Sequence, residues 1–496
     1  MKVSIEQPKA GLITSALLMG LVLSSIDQTI VSTAMPTVIN KLNGLNLYSW
    51  VFTVYMLAST TTMPIYGKMA DLFGRRRIYM TGLTLFLIGS ALCGFAGNMT
   101  ELIVFRGIQG LGAGALMPVA FAIVADIYPP GKIGKFQGLF GAVFAISSIC
   151  GPTVGGFVVE YLNWGWIFFI NLPIGIPALF IVGMALKESK SHEKRIIDWS
   201  GAITLCAAVV SLLLALVMAG SGDGAHYAWE SPQITGLLGS GAVFLTLFLW
   251  IETKAKEPIV PLRLFKIRTI AFGNIAGFFV SAGLFGAIAY IPLYVQGVIG
   301  VSPSVAGYIL TPLMLSTVIT SNAGGRLMGK ASYRTILVPS IAMMAAGFIL
   351  LSQMTADTTI FEIVLYLIIT GLGMGAVYPT LGTAAITAVD THNRGTASSS
   401  SQFFRSIGGT IGVSVFGWLL TRRMSGTDTQ ALLDSGRRAA LTGEALLTLE
   451  NLFSRSLAQL FLLGAVFVGI SLIASILLGN ARLIKPQRNA SQDEAV

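Results

Sequence analysis

The sequence predicts an all-α polytopic membrane protein with fourteen transmembrane helices, arranged as two six-helix bundles in parallel pseudo-repeat plus two inserted helices. Three observations carry this. Of 496 residues, 54% are hydrophobic and only 11% charged, whereas about a quarter of a soluble domain is charged. So little charge cannot cover a soluble surface, and lipid is the expected solvent. Fourteen stretches reach the roughly 20 mostly apolar residues that cross a bilayer. Two glycine-rich stretches, GLGAGALMP at Gly110–Pro118 and GLGMGAVYP at Gly371–Pro379, repeat at a fixed offset.

The first apolar run starts near Gly11, straight after MKVSIEQPKA. A signal peptide has a short apolar core and then a cleavage site of small residues. This run is long and holds Asp27 near its middle, so it is read as a retained first helix. The fourteen spans are 11–40, 47–72, 77–96, 100–127, 136–160, 165–187, 198–220, 234–253, 268–298, 303–328, 334–354, 359–389, 395–421 and 455–480.

Loop charge orients them. One set of loops holds Arg75–Arg77, Lys132 and Lys135, Lys187–Arg195, Lys254–Arg268, Arg326, Lys330 and Arg334, and Arg394. The alternate set, near Asn98 and at 221–233, 299–302 and 355–358, is almost free of Lys and Arg. Short basic loops stay in the cytoplasm, so both termini are expected there. The exception is the external stretch 422–454, with Arg422, Arg423, Arg437 and Arg438. Its pattern suggests amphipathic helices on the outer surface, and longer loops obey the charge rule less strictly.

The repeat sets the domain organisation. The offset of 261 residues that relates Gly110 to Gly371 also relates Gly134 to Gly395, each at the start of the next helix. Small residues pack membrane helices everywhere, but the preserved order of neighbouring elements favours a true repeat. Residues 1–190 then form one bundle, 191–260 a linker with two additional helices, and 261–496 the second bundle. Two such bundles around a central axis suit alternating access.

Several function classes are excluded. The net charge of +10 sits in short turns between apolar runs, which fits loops better than a nucleic-acid groove. Cys93, Cys150 and Cys206 lie inside apolar runs, with neither a disulfide framework nor metal spacing. The three histidines are scattered in loop-like stretches. There is no phosphate-binding loop motif, no stretch long enough for a nucleotide domain, and no nucleophile–base constellation. No metal or other cofactor is expected, and energy must come from an ion gradient or the cargo's own gradient.

Four motifs carry a family resemblance: Asp27–Pro36 (DQTIVSTAMP), Gly67–Arg77 (GKMADLFGRRR), Arg106–Pro118 (RGIQGLGAGALMP) and Gly151–Gly156 (GPTVGG). In combination they resemble the major facilitator superfamily, specifically its 14-helix drug:proton antiporter branch, over nearly the whole chain. The sequence departs from that pattern at Leu72 and at Gly165, where a basic residue and an arginine are frequent. The second-half copy of the loop motif has Gly329 in place of Asp71. The resemblance implies an exporter of drug-like small molecules driven by the proton gradient.

Ionisable groups inside membrane helices are costly and are functional candidates by default. Three stand out: Asp27, Arg106 and Arg405. Asp27 lies ~16 residues into its span, ~24 Å at the helical rise, and Arg106 lies near the outer start of its own, so both fall in the outer half and can meet. An isolated carboxylate in an apolar cavity holds its proton more tightly, and a nearby guanidinium loosens it. A changing contact would therefore toggle a proton. The bland alternative is a static ion pair. Gln109, one turn from Arg106, shares its face. Arg405 either meets an anionic group of the cargo or holds a helix contact.

Gly151, Pro152, Gly155 and Gly156 make a kinked, closely packed helix suited to rocking. In the cytoplasmic turn, Gly67 and Gly74 permit close approach, Asp71 can face a helix N-terminus in the other bundle, and Arg75 can pair with Asp126. With Arg76, these residues form a candidate gate. Gln28, Tyr55, Tyr290, Gln296, Asn322 and Tyr378 join Gln109 and Arg405 as candidates for the cargo cavity.

The expected partners are a drug-like small molecule, H⁺ and the lipid bilayer, with no nucleic acid, and the chain is expected to act as a monomer. The expected location is a bacterial plasma membrane. The nearest rival is a dedicated exporter of one metabolite, siderophore, antibiotic or lipid. A more distant one is a non-transporting membrane sensor, disfavoured by the lack of a sizeable cytoplasmic output domain.

Overall fold

A computed structural model describes residues 7–42, 47–128, 160–186, 197–219, 227–301, 303–424 and 443–482, with scattered positions between 136 and 158 and at 427, 432 and 438. Its elements are α1 (Gln7–Leu42), α2 (Tyr48–Phe73), α3 (Arg75–Gly94), α4 (Met99–Ile127), α5 (Trp166–Ala185), α6 (Trp199–Met218), α7 (Pro232–Lys254), α8 (Arg268–Ile299), α9 (Thr311–Leu327), α10 (Tyr333–Leu351), α11 (Ile360–Thr387), α12 (Arg394–Arg423) and α13 (Gly443–Leu477). Among the described residues no sheet forms.

Eleven of these helices are long and apolar enough to cross a membrane, all but α2 and α9. α9 has 17 residues. α2 has 26, but Thr60–Thr62, Lys68 and Asp71 lower its apolar content. Of the predicted span 136–160, the described positions are helical.

Proline accounts for where long predicted spans break. Lacking an N–H, it orphans the carbonyl four residues back. α5 pauses at Ile170, three residues before Pro173, and α11 pauses at Ala376, three before Pro379. The predicted span 303–328 is divided: a short helix, Pro303–Ile309, precedes α9, whose second residue is Pro312. At the other extreme, α13 runs 35 residues and absorbs positions 443–454 of the expected external stretch 422–454. The rest of that stretch lies mostly outside the described residues.

Packing groups the helices. α2 and α3 embrace α4, and α1 packs on α5. Buried Leu83, Phe86, Leu116 and Val119 fill that core. α8 packs on α12 and α13, α11 on α9 and α10, and α13 on α10, around buried Phe348, Phe416 and Phe461. α6 and α7 pair with each other, and Leu205, Leu213 and Phe248 join Leu57 of α2. The two large groups meet where α12 lies against α2 and α4.

The repeated glycines explain why the two groups look alike. A Cβ at Gly110 or Gly114 would run into backbone of α2, and one at Gly112 into α3. At the positions 261 residues on, a Cβ at Gly371 or Gly375 would run into α9, and one at Gly373 into α10. In each copy, hydrogen-sized side chains let one helix lie directly on two neighbours at once.

Candidate functional site

The first candidate centre is a polar cluster sealed between α1, α3, α4 and α5. Asn98 caps α4 by accepting from the Glu101 N–H at 2.9 Å, fixing the helix start seven residues before Arg106. Arg106 Nη1 donates to Asp27 Oδ2 at 2.5 Å and to Gln109 Oε1 at 2.8 Å. Gln109 Nε2 donates to the other carboxylate oxygen, Asp27 Oδ1, at 2.8 Å, and Asn171 Nδ2 approaches the same oxygen at 3.3 Å. The guanidinium lies over the Tyr55 ring, 4.1 Å from its centroid. Asp27 and Arg106 are each 1% exposed, so this pair has given up water on both sides. Such a pair holds only if its remaining valences are met, and both carboxylate oxygens have partners.

Asn171 also donates to Ser90 Oγ at 2.8 Å, and Ser90 donates to the Phe168 carbonyl at 2.9 Å. Asn171, Ser90 and the Cys93 thiol, which donates to Gln109 Oε1 at 3.8 Å, were not singled out from the sequence. The criterion that picks intramembrane charges, applied to amides, would have found Asn171, a lone side-chain amide inside the apolar run of α5.

The second centre is a latch at the end of the molecule where α2 turns into α3. Gly74 makes that turn with φ +104°, a conformation side chains other than glycine's disfavour. α12 begins after Asn393, which makes no side-chain cap bond. Asp71 of α2 supplies the missing cap: the N–H groups of Gly395 and Thr396 donate to its two oxygens at 2.9 and 2.7 Å, and the Thr396 hydroxyl adds 2.9 Å. A carboxylate here meets both the orphan donors and the positive end of the helix dipole. Gly67 permits the approach, since a Cβ there would stand 2.7 Å from the Gly395 carbonyl oxygen.

Around Asp71, Arg75 pairs with Asp126 of α4 and donates to the carbonyls of Ala122 at 2.6 Å and Thr391 at 2.9 Å. Arg394 reaches the same Asp126 from α12 at 3.1 Å. Asp126 thus lies between a cation of each helix group. Arg76 is half-buried beside this cluster. Lys68, one turn before Asp71, is buried and pairs at 2.6 Å with Glu257, in the segment that follows α7. Sequence reasoning missed Arg394, Thr396, Lys68 and Glu257 as latch members.

The remaining candidates scatter. Arg405 lies over Tyr378, 4.5 Å from its ring centroid, and donates to Gln402. Tyr290 donates to the Val413 carbonyl at 3.3 Å, on the α8–α12 face. Gln28 is exposed beside Asp27. Asn322 is exposed and, among the described residues, bonds only to its own helix, at Val318 O, so it joins neither centre. The Gln296 carbonyl accepts from Arg438. Gly151 packs against Thr29 of α1, Gly155 is buried, Gly156 has open space around it, and Pro152 lies outside the described residues.

Helices long and apolar enough to cross a bilayer, a charge pair sealed among them and an ionic latch across two helix groups fit a membrane transport protein better than an enzyme. Comparison with known sequences agrees: the Major Facilitator Superfamily matches residues 17–413, and the chain belongs to that family. It is 44% identical over 435 residues to the multidrug transporter protein MdtP of Bacillus subtilis (strain 168), covering 87% of this chain and 80% of that one. It is 38% identical over 499 residues to multidrug resistance protein 3 of the same organism, covering 96% and 97%. Among solved structures it resembles the proton:xylose symporter XylE at a TM-score of 0.60 and 14% identity, over 93% of this chain and 95% of that one. That likeness concerns the fold alone.

Proposed function

We propose that the protein is a proton-coupled antiporter that exports small amphipathic or hydrophobic compounds from a bacterial cytoplasm by alternating access. In this reading it has fourteen spans, two six-helix bundles with an inserted pair, both termini in the cytoplasm, and acts as a monomer. The observation that carries it is the sealed Asp27 carboxylate, whose oxygens are taken by Arg106, Gln109 and Asn171. A proton arriving on Asp27 cancels its attraction for Arg106 and frees two amide donors. The cluster must then rearrange, and α1, α4 and α5 move with it. Cargo loading from the cytoplasm drives the reverse change and expels the proton. A closed latch at Asp71 and Asp126 belongs to the outward-facing half of this cycle. The two Bacillus relatives named as multidrug proteins support a broad cargo range over a single dedicated one.

The test is ethidium transport in proteoliposomes with ΔpH and Na⁺ gradients varied independently. The expected result is flux that follows ΔpH and ignores Na⁺, with Asp27→Asn protein folding normally but losing the ΔpH-driven component. Undiminished ΔpH-driven flux in that variant sinks the assignment.

A further inference from the structure

Each helix group buries one arginine over a tyrosine. In the first, Arg106 over Tyr55 is answered by Asp27. In the second, Arg405 over Tyr378 is answered by nothing of opposite charge: among the described residues no carboxylate lies within ion-pair distance, and its one hydrogen bond goes to Gln402. Arg405 is 8% exposed and Gln402 6%. Arg405 Nε and Gln402 Nε2 are both buried without a partner. Turning the Gln402 amide over would point its donors at the guanidinium, so its orientation is fixed by charge. Tyr378 is itself held by Ser281 of α8 at 2.6 Å. The cluster is therefore rich in donors, short of acceptors, and carries an uncompensated positive charge, an arrangement that costs several kcal/mol when left unanswered.

Position matters as well. Arg405 lies eleven residues into α12, ~16 Å from the latch end by helical rise. Arg106 lies twenty residues from Asp126, ~30 Å from that end. The unpaired cation thus sits deeper than the latch and well short of the Asp27 cluster, among α8, α11 and α12, where Gly277 leaves room for its stem.

Resting on the transport reading above, we propose that Arg405, Gln402 and Tyr378 form a cargo subsite for an oxyanion, such as the carboxylate of an amphipathic organic acid. The guanidinium and the amide each donate to the oxyanion, and Tyr378 holds the guanidinium plane in place. Cargo bearing such a group completes a charge that the protein leaves open.

The test uses the full-length protein in phosphatidylcholine nanodiscs and two fluorescent probes, 1-pyrenebutyrate and its uncharged methyl ester. Wild-type protein is expected to prefer the carboxylate by about tenfold, the scale of one charge-assisted hydrogen bond. Arg405→Gln should bring the ratio of affinities near one, and Arg405→Lys should keep much of it. If Arg405→Gln does not fold, Gln402→Met is expected to cut the preference about threefold. No preference in the wild type, or a preference unmoved by these changes, overturns the proposal. So does parallel weakening of both probes in Arg405→Gln and Arg405→Lys, which marks a purely structural arginine. Repeating the wild-type titration in phosphatidylglycerol nanodiscs separates cargo from headgroup. A preference that still exceeds that of Arg405→Gln in the same discs supports a cargo site, and one that falls to the level of that variant would assign the site to an anionic lipid headgroup. Ethidium flux is measured alongside, because its absence condemns the transport reading while the probe ratio alone decides the subsite.

Discussion

Asp27 and Arg106 are held as a unit, so their substitutions should not behave independently. Replacing Arg106 alone strands a carboxylate that is 1% exposed, and breaking a buried pair by removing one partner costs about 3–5 kcal/mol. Arg106→Gln is therefore expected to lower the thermal midpoint of the detergent-solubilised protein markedly. The double variant Asp27→Asn with Arg106→Gln removes both charges and should recover most of that loss without regaining ΔpH-driven flux. A double variant as unstable as the single one would mean that Arg106 acts through its packing on Tyr55 and Phe168 rather than through charge. The two charged residues were legible because an ionisable group in an apolar run has few bland explanations. Asn171 was open to the same criterion extended to amides, but Ser90 was not, because hydroxyls scatter through membrane helices and only the fold brings its oxygen to the Asn171 amide that reaches Asp27.

At the scale of elements, the informative contact joins the α6–α7 pair to the latch. α2 carries Lys68 one turn from Asp71, and Glu257 after α7 takes its ammonium at 2.6 Å. That hydrogen bond holds the Glu257 carboxyl below its ordinary range. A depressed carboxylate contributes above its unfolded pKa and loses the contribution as pH falls through its folded value, so the tie stays intact across the neutral range. The pair is partly exposed, and such pairs contribute up to about 1 kcal/mol. Glu257→Gln is thus expected to raise the labelling rate of a single cysteine at position 398, where the native Ser398 is buried against Pro118 of α4, by no more than about fivefold at neutral pH, a shift of that energy. Unchanged labelling would leave the α6–α7 pair without influence on the latch.

Elements also show what sequence reading reaches. Glycines at a 261-residue offset point to equivalent packing, and Gly112 and Gly373 do lie on α3 and α10. The breaks at Ile170 and Ala376 were not anticipated, although Pro173 and Pro379 stand beside them. Arg438, anomalous by the charge rule, pairs with Glu450 and donates to the carbonyls of Gly297 at 2.8 Å and Val298 at 3.1 Å. It serves the π-helical last turn of α8, Val295–Ile299, a role that requires contacts 140 residues away in sequence and so leaves no local signature.

At the scale of the whole molecule, the two helix groups are joined at one end by a carboxylate capping a helix that belongs to the other group. The cap is directional: Asp71 serves α12 only while α2 and α12 lie together. Opening that end releases the Gly395 and Thr396 donors and Asp126's hold on Arg394 at once. Asp71→Asn keeps the shape and one acceptor oxygen but loses the charge and the second acceptor. Hydrogen bonds to a charged group are worth about 1.5–3 kcal/mol each, so the closed latch should lose about tenfold or more in population relative to the open one. A cycle that must pass through the closed latch then slows, although the Asp27 and Arg405 clusters deeper in the bundle are untouched. The expected outcome is ethidium transport well below the wild-type rate, ethidium affinity in nanodiscs close to wild type, and faster thiol labelling of a cysteine at position 398, where Ser398 bonds the Pro118 carbonyl of α4. Lost affinity with a normal transport rate would contradict the latch and move Asp71 into the binding chemistry.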